Sequence, residues 1–222
     1  MKGKDQIHVR RIVDENDRQA ALHVLRSVYV AEKHWASREN DILPQADLES
    51  NHVAWFLSRF AGTPTGVVRV LFQLPLALYR SYGITPLDPS LDVERFLTAN
   101  RVAEVGRFAV LPEARGQIMV AASLIKAAAR ETLARAYTHL ITDVFENDPN
   151  SPYEFHTRVL GFVPVATHEH GELASAAGRR ITMLLDLAKA YQRLAAKNNW
   201  IFRYIFEGDW PMEWKPAAGA EH

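Results

Sequence analysis

Residues 101–134 constrain the fold of this chain more than any other stretch. Arg101 to Leu111 reads as a strand, "PEARG" makes a turn, and from Ile118 onward Ala121, Ala122, Ile125, Ala128, Ala129 and Leu133 recur on one helical face. A strand that runs through a turn into a long helix aims the helix's unpaired N–H groups and positive dipole end back at the strand's tip. Such a junction suits an anion, phosphate above all. The chain is therefore read as α/β, with its chemistry sought where that strand ends.

The flanking segments extend the pattern. Gln6 to Val13 reads as a strand, and "DEND" from Asp14 supplies N-cap residues and acidic charge for a helix start. Ala21, Leu22, Leu25, Val28 and Tyr29 carry that helix to about Glu32. The polar stretch 34–51 lacks periodicity, as binding loops or lids do. Val53 to Phe60 and Gly66 to Phe72 are two strands joined by "AGTPTG", and a mixed connection with a short helix after Pro75 follows. Beyond the central unit come the strand "THLITDVF", the short helix "SPYEFHTRVLGF" closed by Gly161, strands Val163–His168 and Arg180–Leu187, and a helix from Leu187 to Asn198. With no repeat or linker in view, residues 1–222 are expected to form one α/β domain of the α+β type. Its sheet is expected to be mixed and mostly antiparallel, with helices flanking it and a frayed tail from about residue 216.

Composition narrows the function. Lys plus Arg and Asp plus Glu are 26 each, with a pI near 7.2. That argues against broad capture of nucleic acid or anionic lipid. The absence of cysteine excludes disulfides, thiolate metal sites and a Cys nucleophile. No apolar run approaches the roughly 20 residues of a membrane span, and the N-terminus lacks a secretory h-region, so a cytoplasmic protein is expected. His168 and His170 in "THEHGE" read as an exposed turn, and no metal is expected.

"RFAVLPEARG" followed by "ENDPNSPYEFHTRVLGF" resembles the GNAT-type N-acyltransferases. In that family the central strand delivers an acyl carrier to a loop of backbone amides. The resemblance implies donor contacts from Phe108, Ala109, Val110, Arg115, Gly116, Gln117 and Asn147, and Tyr153 as the proton donor to the leaving thiolate. The front half is similar to the autoinducer (acyl-homoserine-lactone) synthases and the related N-acyl amino acid synthases. On that likeness Arg26, Tyr29, Trp35, Asp41, Asp47 and Arg69 would bind the acceptor, and Glu104 and Arg107 on the central strand would act in catalysis.

Amide formation needs a base for the attacking amine and donors for the tetrahedral oxyanion. Glu104 is the best carboxylate base, and the N–H groups around Phe108 to Val110 suit the oxyanion if the strand bulges there. On a regular strand Glu104 and Arg107 face opposite sides, so the sequence poses a choice between a bulge and two separate surfaces. A buried Arg69 needs a partner, for which Asp41, Asp47 and Glu104 are the candidates. At the opening loop, Ile118 and Val120 stand where coenzyme-A users of this fold have glycines, and a Cβ there crowds a pyrophosphate. Acyl carrier protein, bearing a single phosphodiester on its pantetheine arm, is thus the expected partner and donor, with coenzyme A the weaker one. The expected activity is transfer of an acyl chain to a small amine such as an amino acid. The alternatives are a lactone synthase using S-adenosylmethionine and a non-catalytic domain that binds an acyl carrier or lipid.

Overall fold

The computed structural model describes residues 6–74, 80–173, 178–198 and 200–206. Its strands are β1 (Ile7–Arg11), β2 (Val53–Phe60), β3 (Thr63–Leu71), β4 (Thr85–Pro86), β5 (Val102–Val110), β6 (His139–Phe145), β7 (Val163–His168) and β8 (Arg180–Asp186). Among the described residues they form one sheet in the order β1-β2-β3-β5-β6-β8-β7-β4, with β5 and β6 parallel and the other pairs antiparallel. Helices are α1 (Glu15–Leu25), α2 (Glu39–Ile42), α3 (Gln45–Glu49), α4 (Val93–Ala99), α5 (Ile118–Ala134), α6 (Leu187–Lys197) and α7 (Trp200–Phe206).

Both faces of the sheet centre are covered, which is why β2 is buried along most of its length. Ala54 and Phe56 pack with α5, α6 and α7, whereas Val53, Trp55 and Leu57 pack with α1 on the other side. This alternation is the period-2 geometry of a strand buried twice.

The strand β5 breaks the alternation. Ala103 and Val105 lie in the α5-side core, yet Ala109 and Leu111, of the same parity, lie in the α1-side core. The register explains this: Arg69 opposes Gly106 and Val67 opposes Ala109, so two residues of β5, Arg107 and Phe108, face one residue of β3. One extra residue flips every later side chain to the other face. Arg107 absorbs the kink with φ +50, in the left-handed region. The bulge resolves the Glu104–Arg107 conflict, because both side chains now reach the α1 side of the sheet.

The second departure from regularity lies between β5 and β6. Their parallel pairing covers Val102↔His139, Ala103↔Leu140 and Glu104↔Ile141 and goes no further. Beyond Glu104 the two strands splay.

The first helix is capped by Asp14, whose side chain accepts from the Asp17 amide at 2.8 Å. It extends to Glu32 as expected, but Arg26–Glu32 is wound as a π-helix. A second π-turn, Phe155–Leu160, ends at Gly161 with φ +94, the left-handed C-terminal stop its sequence announces. The β2–β3 turn is tighter than "AGTPTG" suggests. Ala61 and Gly62 both take positive φ, as a two-residue hairpin requires, and Pro64 joins β3. The stretch 34–51 is not structureless: α2 and α3 form there, and Ile42 and Leu43 are fully buried. The helix expected after Pro75 and the tail from about residue 216 lie outside the described residues.

Candidate active site

The splay opens a cavity of about 530 Å³. One end is the start of α5, where Gln117, Ile118 and Ala121 line it; the other reaches Glu104, Arg107, Glu172 and Arg180. Its waist is β5 from Val105 to Val110 on one side and Thr142 to Phe145 of β6 on the other. No side chain caps the α5 N-terminus among the described residues, so its dipole end faces the opening.

At the inner end lies an ion cluster on the α1 side of the sheet. Arg69 is 4% exposed and lies over the Trp55 ring, 6.0 Å from its centroid. It donates to Glu104 Oε1 at 2.7 Å and, through two nitrogens, to both oxygens of Glu172 at 2.7 Å each. Arg107 is also buried; its Nη2 lies 3.3 Å from Glu172 Oε2 and donates to the Asp41 carbonyl at 2.9 Å. Burial alone would raise the Glu172 pKa, but Arg69 first, then Arg107 and Arg180, hold the carboxylate well below its ordinary range. For Arg69 burial is likewise outweighed, and the charges of Glu104 and Glu172 push its pKa up. The partners of Arg69 are thus Glu104 and Glu172. Asp47 instead accepts from the Trp55 indole at 3.0 Å, and Asp41 contributes its carbonyl while its residue is exposed.

The π-wound segment positions the next wall. Tyr29 is buried, with its hydroxyl donating to the Phe108 carbonyl at 3.3 Å, and burial pushes its pKa to about 12. Trp35 stacks on Phe145 at 4.3 Å and meets Tyr29 at 5.3 Å, which ties this segment to β6. Arg26 is exposed and does not line the cavity.

At the outer end the structure differs from the sequence reading. Val120 is fully buried in the α5-side core, so it does not crowd the loop; Ile118, 43% exposed, does line the opening. Ile118 therefore does not pack beneath the helix. An added Cβ at Gly116 would meet nothing within 4 Å. Arg115 is engaged: it donates to both carboxylate oxygens of Glu32, through Nη1 at 2.9 Å and through Nη2, while Nε reaches the Val110 carbonyl at 3.2 Å. Asn150 joins Glu32 at 3.2 Å, and Lys33 pairs with Asp148. Phe108, Ala109, Val110, Arg115 and Gln117 border the cavity; Asn147 lines an adjoining depression instead. Tyr153 packs against the α5-side core, and the π-turn presents Phe155 and His156 to the cavity in its place.

Glu172, Arg180 and Asp143 are among the lining residues that went unread in the sequence. His168 is buried rather than in an exposed turn, its Nε2 3.2 Å from Asp143 Oδ1. Among the described residues no group of three or more potential ligands could hold a metal ion, and no helix is long and apolar enough to cross a membrane.

No family model and no curated protein sequence matches the chain. Solved structures do. FeeM, an N-acyl amino acid synthase from uncultured soil microbes, superposes with a TM-score of 0.65 at 20% identity, over 87% of this chain and 98% of that one. A GNAT-family chain of Desulfovibrio desulfuricans gives 0.56 at 13% identity over 82% and 99% of the two chains. YncA of Salmonella typhimurium, solved with acetyl-CoA, gives 0.55 at 15% over 82% and 94%. The chain has the GNAT acyltransferase fold.

Proposed function

We propose that the chain is an N-acyltransferase that moves an acyl group from a phosphopantetheine thioester to the amine of a small acceptor such as an amino acid. The observation that carries this is the splay: one cavity joins the dipole end of α5 to the Arg69–Glu104 cluster past the unzipped edge of β5. A thioester laid along β5 beyond Glu104 would meet backbone N–H groups that have no β6 partner, the donors a tetrahedral oxyanion needs. The amine attacks the carbonyl carbon, the C–N bond forms, the C–S bond breaks, and the thiolate leaves. Glu104 takes the amine's proton directly or through a water. Tyr29, Trp35 and Arg107 border the acceptor end, with Arg69 behind Glu104. Arg115, Gln117 and Ile118 border the donor end.

Acyl carrier protein is the proposed donor over coenzyme A. The steric argument rests on Ile118 alone, since Val120 is buried. Turnover of acyl-carrier-protein and coenzyme-A thioesters of one chain length, with amino acids as acceptors, tests both parts. At least ten-fold higher kcat/KM for the carrier protein is expected, a difference of about 1.4 kcal/mol in barrier. Preference for coenzyme A sinks the donor claim; lactone products would point to the S-adenosylmethionine alternative; no product with any acceptor sinks the enzyme reading. Glu104→Gln should lower kcat at least ~10-fold, a floor set below the roughly 10²–10⁴-fold that a positioned general base contributes. An unchanged kcat removes Glu104 from the chemistry.

A further inference from the structure

The Arg69–Arg107 fork is filled by a carboxylate from an unexpected place. Both guanidiniums sit on central strands and are buried, and the Nε atoms of Arg69 and Arg107 have no hydrogen-bond partner among the described residues. Glu172 belongs to the connection between β7 and β8, and its side chain is 42% exposed. It reaches inward to give Arg69 a two-oxygen grip with both distances at 2.7 Å, the fork geometry by which arginine recognises any carboxylate. Residues 171 and 173 lie against Arg180. Arg180 Nη2 donates to the Leu173 carbonyl at 2.9 Å, and a Cβ at Gly171 would fall 1.2 Å from Arg180 Nη1, so any side chain there would have to push the guanidinium aside.

Two buried guanidiniums without an anion are unfavourable. Replacing one carboxylate by another keeps the charge balance of the cluster intact. Glu172 also lines the same cavity as Glu104, so an anion seated in the fork would have its neighbouring atoms beside the proposed base.

We infer that Glu172 is an internal occupant of the acceptor's carboxylate subsite, and that an α-amino acid acceptor binds by displacing it from Arg69 and Arg107. This rests on the N-acyltransferase reading of the cavity and adds to it a specificity-determining residue. Amines without a carboxylate cannot displace Glu172 and are poor acceptors. Amino acids exchange one carboxylate for another and place the amine toward Glu104.

The test uses the full chain and two probes, N-decanoylglycine and N-decanoylglycinamide, titrated calorimetrically. If Glu172 holds the fork about nine-tenths of the time, Glu172→Gln should bind the carboxylate probe ~10-fold more tightly, with the amide probe little changed. Glu172→Asp keeps the charge but cannot span both guanidiniums; it should tighten the carboxylate probe by a smaller factor and serves if the Gln variant does not fold. Unchanged or weaker binding of N-decanoylglycine by both variants overturns the inference, as does an equal shift for both probes. Turnover is scored separately. Product formation with an unshifted probe ratio leaves the enzyme reading standing and removes Glu172 from specificity. A shifted ratio without product supports the subsite and sinks the enzyme reading.

Discussion

Arg69→Met will destabilise the protein by about 3–5 kcal/mol, the range for removing one partner of a buried ion pair. The side chain is 4% exposed and lies between two carboxylates, each within 2.7 Å. Met keeps an unbranched apolar stem of similar bulk but ends short of the guanidinium over Trp55, so most of the loss is electrostatic rather than packing. What changes is charge: Glu104 loses the guanidinium that faces it, and Glu172 is left to Arg107 at 3.3 Å. Urea unfolding with a shared slope reads the loss directly.

The same logic predicts recovery. Arg69→Met combined with Glu104→Gln neutralises both ends and should regain at least about 1 kcal/mol over the sum of the single changes, since contacting residues are not additive. Arg69→Lys should not recover it, because an ammonium cannot grip two carboxylates as a planar fork does. A loss below about 1 kcal/mol for Arg69→Met would mean that the cluster is solvated, and the acceptor subsite would go with it.

How much of this was legible in the sequence depended on how local each signal is. The caps at Asp14 and Gly161 were readable, because each depends on one residue's own backbone chemistry. The bulge in β5 was readable as a contradiction: Glu104 and Arg107 could share a surface only if the strand carried an extra residue there. The two π-turns were not, since one added residue per turn barely disturbs a 3.6-residue pattern over six or seven positions. Tyr153 was placed by the family resemblance, and the π-turn brings Phe155 and His156 to the cavity instead. Val120 was read as part of the loop, but α5 begins at Ile118 and its next turn already points into the core. Glu172 carried no local signal, since its partners Arg107 and Arg69 lie 65 and 103 residues away along the chain. The buried Asp17 was likewise read only as first-turn charge, whereas it anchors Arg10 at 3.0 Å and Arg59 at 3.1 Å.

Acid will expose the contribution of His156. Its ring is 1% exposed, Nδ1 donates to the Pro152 carbonyl at 2.9 Å, and the rings of Phe108 and Phe162 lie 6.0 Å and 5.1 Å away. Burial pushes its pKa from the ordinary 6.5 down to about 4, against the weaker opposing pull of the Pro152 carbonyl. Below 6.5 the unfolded chain takes up a proton that the folded chain refuses until about pH 4, so the unfolded state binds more protons and stability falls as pH falls through that window. The full loss is about 3 kcal/mol at the acid end, and there is none above pH 7. His156→Phe keeps an apolar ring in place and gives up the hydrogen bond, worth about 1 kcal/mol at every pH. Unfolding at pH 7.5 should thus find the wild type more stable by about that amount, and unfolding near pH 4 should find the order reversed by about 2 kcal/mol. Other groups tilt both curves alike, so the difference between them isolates His156. Curves that stay parallel from pH 7.5 to 4 would mean the imidazole is reached by water when charged.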